Sequence, residues 1–366
     1  MKKTTTLILA ITIIVIILIS LIFFLQTSHQ QKKVKIGAII PLTGKTAYLG
    51  LENQKAIVLA EERIKKQFGD GSIEIVIEDS QGDSKVAVAA ANKLIEIDQV
   101  DVLYVESTGP STAISPIALD NNVIMMYSSS SKDILSKNPL AIKASDDPEQ
   151  ICKRFADISK EKRIEKIAVI NEMGATIGLD CEKGLNKVYL QENTIVETIT
   201  AGSDIKTTIL KLNDQDVGAF VFYAFEGTCL SYYKIKMEFD LNQLVFGPDG
   251  GVITDNIINT VGIENLEDTF AYTKIPTEYF REEYSSKFGE VDNSLLQKAV
   301  VTYDIILKLD NAVRNCESKD NVCIINKILI DKTENTAIES YDIGERIVSP
   351  VSAIYTIDNG EKIRVN

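Results

Sequence analysis

Two loops of small hydroxyl residues are the clearest groups in the sequence that could bind a ligand. The first loop, Ser107-Thr-Gly-Pro-Ser-Thr112, follows the apolar run 101–106, and the second, Ser128-Ser-Ser-Ser131, follows the apolar run 123–127. Such loops offer hydroxyl donors and accessible backbone N–H groups with little bulk, which suits a small anion such as a carboxylate. The same residue types are frequent in ordinary turns and helix N-caps, so both interpretations stay open.

The elements around these loops predict where the loops lie. Short apolar runs that end in polar turns are typical of strands buried on both faces of a parallel sheet. In such sheets the loops at the carboxyl ends of the strands line the ligand crevice. Strand and helix patterns alternate from residue 34 to about 144, and a second alternating series runs from 151 to 246. The sequence therefore predicts an α/β protein with two parallel sheets.

Composition restricts the function classes. The chain of 366 residues is long enough for more than one domain, and its formal net charge of −13 argues against nucleic acid and anionic membrane surfaces as partners. The single histidine, His29, precedes the first strand pattern, so no Ser-His or Cys-His catalytic pair can be built. The sequence also lacks a P-loop, a GxGxxG after the first strand and a GxSxG elbow. We therefore expect no enzyme and no cofactor.

The N-terminus predicts a membrane segment. Lys2 and Lys3 precede residues 7–25, nineteen residues that carry no charge and could span a bilayer as a helix. The paired lysines favour a cytoplasmic segment 1–6, with the rest of the chain outside the cell membrane after a polar tether, 26–33. A cleaved signal peptide is the alternative, although no small-x-small site follows the apolar run. No cysteine follows it either, which excludes a lipoprotein anchor.

The five cysteines are consistent with an exported domain. Cys316 and Cys323 bracket a polar turn between two helical patterns and could close a local disulfide. Cys152 and Cys181 are a second candidate pair, but buried free thiols explain these two and Cys229 equally well.

An acidic cluster, Glu78-Asp79 with Asp83, has the composition of a metal site. Asp79-Ser-Gln-Gly-Asp-Ser84 is nevertheless better interpreted as a turn and a helix N-cap. No metal site is therefore predicted.

Several motifs together carry a family resemblance. They are Lys35-Ile-Gly-Ala-Ile-Ile-Pro-Leu-Thr-Gly44, Glu78-Asp-Ser-Gln-Gly-Asp83, Ser107-Thr-Gly109, Gly178-Leu179, Phe246-Gly-Pro-Asp-Gly250 and the tail 347–360. In this order and spacing they closely resemble the leucine/isoleucine/valine-binding protein family, the extracytoplasmic solute receptors of ABC transporters with the type I periplasmic-binding fold. The resemblance implies two α/β lobes joined by three crossovers. Lobe one would comprise 34–144 plus 250–330, and lobe two 145–249 plus 331–366.

The resemblance also implies a ligand site between the lobes. The family's carboxylate-binding residues correspond to Ser107, Thr108, Ser129, Ser130 and Ser131. Its acidic partner of the ligand ammonium corresponds to Asp249, opposite those hydroxyl loops. Side-chain contacts would come from Tyr48 in lobe one and from Phe225 with Glu226 in lobe two. One departure is Ala175, which stands where the family commonly has a tyrosine near the amine.

These observations predict a membrane-anchored solute-binding protein that delivers a small ligand, an amino acid or a related amide, to an ABC permease after hinge closure. Two alternatives remain open. One is a sensory ectodomain of the same fold, and the other is a surface interaction protein whose cleft has degenerated, an alternative that Ala175 keeps open.

Overall fold

The structure is a computed structural model that describes residues 33–44, 46–129, 131–172, 175–200, 202–290, 293–317, 320–330, 336–338, 341–344 and 346–365. The predicted membrane segment 7–25 and Ser130 of the second hydroxyl loop lie outside these ranges. Within the described ranges, no helix is both long enough and apolar enough to cross a bilayer.

Fourteen strands and thirteen α-helices are assigned within the described residues. The strands are β1 Val34–Ile40, β2 Ile73–Asp79, β3 Val102–Glu106, β4 Ile124–Ser128, β5 Ala141–Lys143, β6 Ile167–Asn171, β7 Thr194–Thr198, β8 Ala219–Tyr223, β9 Leu244–Pro248, β10 Thr269–Thr273, β11 Tyr341–Gly344, β12 Ile347–Pro350, β13 Ala353–Asp358 and β14 Glu361–Val365. The helices are α1 Ala47–Phe68, α2 Ser84–Asn92, α3 Thr108–Asp120, α4 Asp133–Lys137, α5 Pro148–Glu161, α6 Ala175–Leu185, α7 Lys206–Asn213, α8 Glu226–Phe239, α9 Asp249–Val252, α10 Asp255–Val261, α11 Glu278–Phe288, α12 Asn293–Arg314 and α13 Asn321–Ile330.

The strands form two seven-stranded sheets. The first has the order β11-β12-β5-β4-β3-β1-β2 and is parallel except for the antiparallel pair β11–β12. The second has the order β14-β13-β10-β9-β8-β6-β7 and is parallel from β10 to β7. The two predicted parallel α/β sheets are therefore confirmed. The predicted hairpin turn at Asp358–Gly360 joins the antiparallel strands β13 and β14.

Helices cover both faces of each sheet, which explains why the central strands are apolar throughout. In the first sheet, α1, α11 and α12 pack on one face, and α2 with α3 packs on the other. In the second sheet, α7, α8 and α10 pack on one face, and α5 with α6 packs on the other. We use lobe one and lobe two for the first and second sheets with their helices.

The lobe boundaries differ from those expected from the sequence. Residues 250–273 were expected in lobe one, but β10 pairs in parallel with β9 and so extends lobe two. Residues 341–350 were expected in lobe two, but Ile347 of β12 pairs with Lys143 of β5 in lobe one. The alternation of strands and helices along the chain marks each element but does not determine which sheet it joins. The chain therefore crosses between lobes near 144–147, 274–276 and 350–352.

Two disulfides lie in different lobes. Cys152 of α5 is bonded to Cys181 of α6 in lobe two, with the Cα atoms 5.2 Å apart. Cys316, just after α12, is bonded to Cys323 of α13 in lobe one, with a Cα–Cα distance of 5.8 Å. Cys229 is a buried free thiol, and burial raises its pKa well above the ordinary value. The structure thus forms both of the pairs that the sequence suggested.

Candidate ligand-binding site

A cavity of about 260 Å³ lies between the lobes, at the carboxyl ends of the central strands. Both lobes and two of the crossovers contribute to its lining. The lining residues are Glu106, Ser107, Thr108, Ser128, Ser129, Ser145, Asp146, Pro148, Ile177, Tyr223, Tyr272, Lys274, Val301 and Thr302. A volume of this size accommodates a small polar molecule, and its position agrees with the crevice rule for parallel sheets.

Lobe one contributes the hydroxyl loops. Ser107 links β3 directly to α3, and its N–H donates to the carbonyl of Ser128 at 3.1 Å, which holds the two loops together. Ser107 has φ 79°, a conformation that residues with a side chain rarely adopt, and such strain tends to cluster at functional sites. Ser107, Thr108 and Ser129 therefore meet at one cavity, as their positions after β3 and β4 predict.

Ser131 has a different position in the second loop. It is buried, its N–H donates to Ser129 Oγ at 3.2 Å, and its carbonyl accepts from the Tyr127 hydroxyl at 3.0 Å. It does not line the cavity, so in this structure it supports the loop through backbone contacts.

Glu106, the last residue of β3, places a carboxylate in the lining next to these hydroxyls. Its side chain accepts a hydrogen bond from Asn53 Nδ2, and Asn53 Oδ1 accepts from Thr302 Oγ1 at 3.0 Å. The Tyr104 hydroxyl lies 2.9 Å from Thr302 Oγ1 and 3.4 Å from Glu106 Oε2. Glu106 is thus held by residues from α1, β3 and α12.

Lobe two contributes an aromatic and apolar wall. Tyr223 at the end of β8 and Tyr272 near the end of β10 are buried, with ring centroids 6.5 Å apart. Burial raises the pKa of both hydroxyls well above the ordinary value, so both side chains stay neutral. Ile177 of α6 and Pro148 at the start of α5 complete this side.

The crossovers supply an ion pair between the lobes. Lys274 Nζ lies 2.6 Å from Asp146 Oδ2, and the Lys274 side chain is only 8% exposed. Ser352 Oγ lies 3.4 Å from Asp146 Oδ1, so residues of all three crossovers meet at one carboxylate.

A second lysine lies behind the hydroxyl loops. Lys143 is fully buried and donates to Ser145 Oγ at 2.7 Å and to the Asp146 carbonyl at 2.6 Å. Burial lowers its pKa to about 8, although Asp147 and Asp146 act in the opposite direction. Ser145 Oγ in turn donates to the Ser129 carbonyl at 2.6 Å, which connects the first crossover to the second hydroxyl loop.

The remaining predicted site residues lie outside this cavity. Tyr48 and Phe225 have 54% and 53% of their surface exposed. Glu226 begins α8 and accepts from Asn256. Asp249 lines an adjoining cavity of about 240 Å³, where its carboxylate accepts from Lys362 Nζ at 2.9 and 3.1 Å. The structure therefore brings the hydroxyl loops together but does not bring these four residues to them.

The sequence interpretation missed several lining residues. Glu106 ends β3 and Tyr223 ends β8, so applying the crevice rule to the last strand residue itself would have found both. Asp146 and Lys274 lie on crossovers, and no local sequence pattern indicates which residues contact a crossover.

The acidic cluster near Glu78 has a local role in the structure. Asp83 is the N-cap of α2, because its side chain accepts from the N–H groups of Lys85 and Val86. These backbone hydrogen bonds hold the pKa of the Asp83 carboxyl below its ordinary value. In the part of the chain that the structure describes, no group of His, Cys, Asp and Glu residues is arranged to hold a metal ion.

The fold and the interlobe cavity define the class of two-lobed binding proteins. Residues 33–339 match the family described as Periplasmic binding protein, and the chain belongs to this family. Leu/Ile/Val-binding protein homolog 6 of Brucella suis biovar 1 (strain 1330) is 26% identical over 214 residues, which cover 56% of this chain and 54% of the relative. The chain thus spans about half the length of this curated relative.

Solved structures share the fold. The branched-chain amino acid transporter substrate binding protein LivJ from Streptococcus pneumoniae str. Canada MDR_19A, in complex with isoleucine, superposes with a TM-score of 0.70 and 17% identity over 91% of this chain and 99% of that one. A solute binding protein of an ABC transporter from Rhodopseudomonas palustris BisB5, in complex with 3,4-dihydroxybenzoic acid, superposes with a TM-score of 0.70 and 20% identity. The match covers 91% of this chain and 96% of that one. Their ligands differ in chemistry, since only the first carries an amine.

Proposed function

We propose that this protein is the extracytoplasmic solute-binding component of an ABC transporter. It binds a small polar ligand, an amino acid or a related amide, between its lobes and presents it to a permease in the membrane. The observation that carries the proposal is the interlobe cavity, to which the Ser/Thr loops of lobe one and the buried tyrosines of lobe two both contribute. Three crossovers allow the lobes to close by hinge motion around a ligand.

The ligand carboxylate lies at Ser107, Thr108 and Ser129 in this proposal. These residues cluster beside the N-terminus of α3, where hydroxyl donors and N–H groups favour a small anion. Ser130 and Ser131 belong to the same loop and stay proposed members of this end of the site. Tyr48, Phe225, Glu226 and Asp249 would have to approach during closure to contact the same ligand.

A second ligand class, small aromatic carboxylates, is favoured by the lobe two wall. Tyr223 and Tyr272 offer aromatic faces opposite the hydroxyl loops. The Rhodopseudomonas palustris BisB5 protein, in complex with 3,4-dihydroxybenzoic acid, has the same fold. The ligand screen therefore includes both classes.

The test is a thermal-shift screen of the full-length chain in mild detergent against amino acids, their amides and small aromatic carboxylates. A ligand at about one hundred times its Kd stabilises the folded state by about 2.7 kcal/mol. For lobes of this size, that raises Tm by roughly 5–10 °C. The proposal fails if no compound of these classes shifts the melting curve.

We also propose that residues 7–25 anchor the protein in the cell membrane, with the binding lobes on the extracytoplasmic side. The paired lysines before an uncharged run of nineteen residues support this topology. In intact cells, an added protease should digest the lobes while residues 1–6 stay protected. Complete release of the protein from washed membranes by alkaline carbonate would contradict the anchor.

A further inference from the structure

Glu106 is distinct from the other lobe one residues in the cavity lining because it is charged. The ionisable side chains that the structure places in the lining are the carboxylates of Glu106 and Asp146 and the ammonium of Lys274, besides two neutral tyrosines. Lys274 lies 2.6 Å from Asp146, so the lysine charge is matched within the crossovers. The formal charges of these described lining residues sum to −1.

The Glu106 carboxylate is also pre-oriented. Asn53, Tyr104 and Thr302 hold it through connected contacts that join α1, β3 and α12. A side chain fixed before the ligand arrives loses little entropy on binding, which raises the affinity that a charge-assisted hydrogen bond can supply. A partly buried carboxylate favours a cation over an anion.

Asp249, the acid expected to bind an ammonium group, has a different environment. It lies in the adjoining cavity, and both of its carboxylate oxygens accept from Lys362. A ligand amine in the 260 Å³ cavity meets Glu106 in the lining without any rearrangement of that ion pair.

We propose that Glu106 binds the protonated amine of the ligand, so that lobe one recognises both charged groups of an α-amino acid. This rests on the proposed function, in which the ligand carboxylate lies at Ser107 and Thr108. Glu106 and Ser107 are adjacent in the chain and both line the cavity, so neighbouring residues can bind the amine and the carboxylate of one small ligand. The ligand side chain then points to Tyr223, Tyr272 and Ile177, which suit an apolar or aromatic group. The Glu106 carboxylate selects an amino acid over a simple aromatic acid.

The test uses isothermal titration of the full-length chain in detergent with L-leucine and L-phenylalanine. The deaminated analogues 4-methylpentanoate and 3-phenylpropanoate are titrated in parallel. The wild-type protein should bind each amino acid at least tenfold more tightly than its deaminated analogue. Glu106→Gln keeps an oxygen that accepts from Asn53 but removes the charge. It should weaken amino acid binding at least tenfold and leave the deaminated acids unchanged or tighter.

The matched control is Glu165→Gln. It makes the same charge change at a side chain that is 79% exposed, just before the amino end of β6 and thus at the opposite end of the sheet from the cavity. This variant should bind amino acids like the wild type. A parallel Asp249→Asn variant tests the competing assignment, because loss of amino acid binding there, with full binding in Glu106→Gln, overturns our proposal.

The outcomes separate the two levels of the proposal. If the wild type binds deaminated acids as tightly as amino acids, the role of Glu106 is overturned while the proposed function stands. If the wild type binds no amino acid and no carboxylate, both are overturned. If Glu106→Gln does not fold, the Asp249→Asn variant decides the question. Full amino acid preference in that variant supports Glu106, and loss of the preference overturns the proposal.

Discussion

The two faces of the interlobe cavity differ in chemistry. Lobe one presents hydroxyls and a carboxylate at the ends of β3 and β4, whereas lobe two presents buried tyrosines and aliphatic groups. Under the proposed function, lobe one recognises the charged groups of the ligand and lobe two recognises its apolar part.

The two lobes also differ in how they are crosslinked. In lobe two the disulfide spans 29 residues and joins α5 to α6, the two helices that bring Pro148 and Ile177 to the cavity. In lobe one the disulfide spans 7 residues at the end of α12, away from the cavity lining. A longer loop loses more unfolded-state entropy on crosslinking, so lobe two depends more on its disulfide.

The largest predicted effect tests this difference. Replacing Cys152 and Cys181 together by Ala should lower the free energy of unfolding by about 3.5 kcal/mol, and the same change at Cys316 and Cys323 by about 2.5 kcal/mol. Urea unfolding of both double variants gives the comparison. Only the lobe two variant should also weaken ligand binding. Equal losses of stability and affinity in the two variants would remove the distinction.

The next effect concerns the junction of the lobes. Asp146→Asn leaves the buried, charged Lys274 without its carboxylate partner, so we expect the free energy of unfolding to fall by about 3 kcal/mol. The control is Asp268→Asn, which breaks a 2.7 Å ion pair between Asp268 and Lys162. These two side chains are 51% and 43% exposed, so the free energy of unfolding should fall by less than about 1 kcal/mol. Adding Lys274→Met to Asp146→Asn should restore part of the loss. A similar cost for both single variants would show that the junction pair is no more important than a surface pair.

The next effect is smaller per pH unit and tests whether a buried carboxyl group makes the stability of lobe one depend on pH. Burial raises the pKa of Asp304 to about 7, and its carboxylate accepts from the N–H groups of Ala337 and Ile338 and from the Tyr341 hydroxyl. Between about pH 4 and 7 the folded state retains a proton that the unfolded state has lost. Stability therefore falls as pH rises through this window, by up to about 1.4 kcal/mol per pH unit.

Unfolding of wild type and Asp304→Asn from pH 4 to 8 measures this contribution. The difference in unfolding free energy between the two proteins should change with pH below about 7 and become constant above it. Parallel pH profiles over the whole range would contradict the raised pKa.

The smallest predicted effect concerns the polar face itself. Thr108→Val removes one hydroxyl from the cavity lining and should weaken binding of a carboxylate ligand by about 1 kcal/mol, or roughly fivefold. The control is Thr260→Val, which removes an exposed hydroxyl that donates to the Asn256 carbonyl one helical turn earlier. Titration calorimetry with the best ligand from the screen compares the affinities of the two variants. Equal affinities would show that the ligand carboxylate does not bind at Thr108.

The sequence by itself determined the elements and the polar face. Apolar runs with helical patterns between them predicted β1, β3, β4, β6, β8 and β9, because burial on both faces requires continuous apolar strands. The edge strands β2 and β7 contain polar residues among their apolar ones. The rule that ligands bind at the carboxyl ends of such strands predicted that Ser107, Thr108 and Ser129 lie close together, and all three line one cavity. The spacing of Cys316 and Cys323 also indicated their pairing.

Only the tertiary structure decided the lobe membership of β10 and β12 and the environment of each acid. Strand pairing such as that of Ile347 with Lys143 depends on packing between segments far apart in the chain. Glu106 is oriented by Asn53, whose contact with Thr302 spans 249 residues, and Asp249 is held by Lys362, 113 residues later. Local patterns fix backbone elements and the residues at their ends. Which charge faces a ligand is set by side chains that meet only when the lobes are assembled.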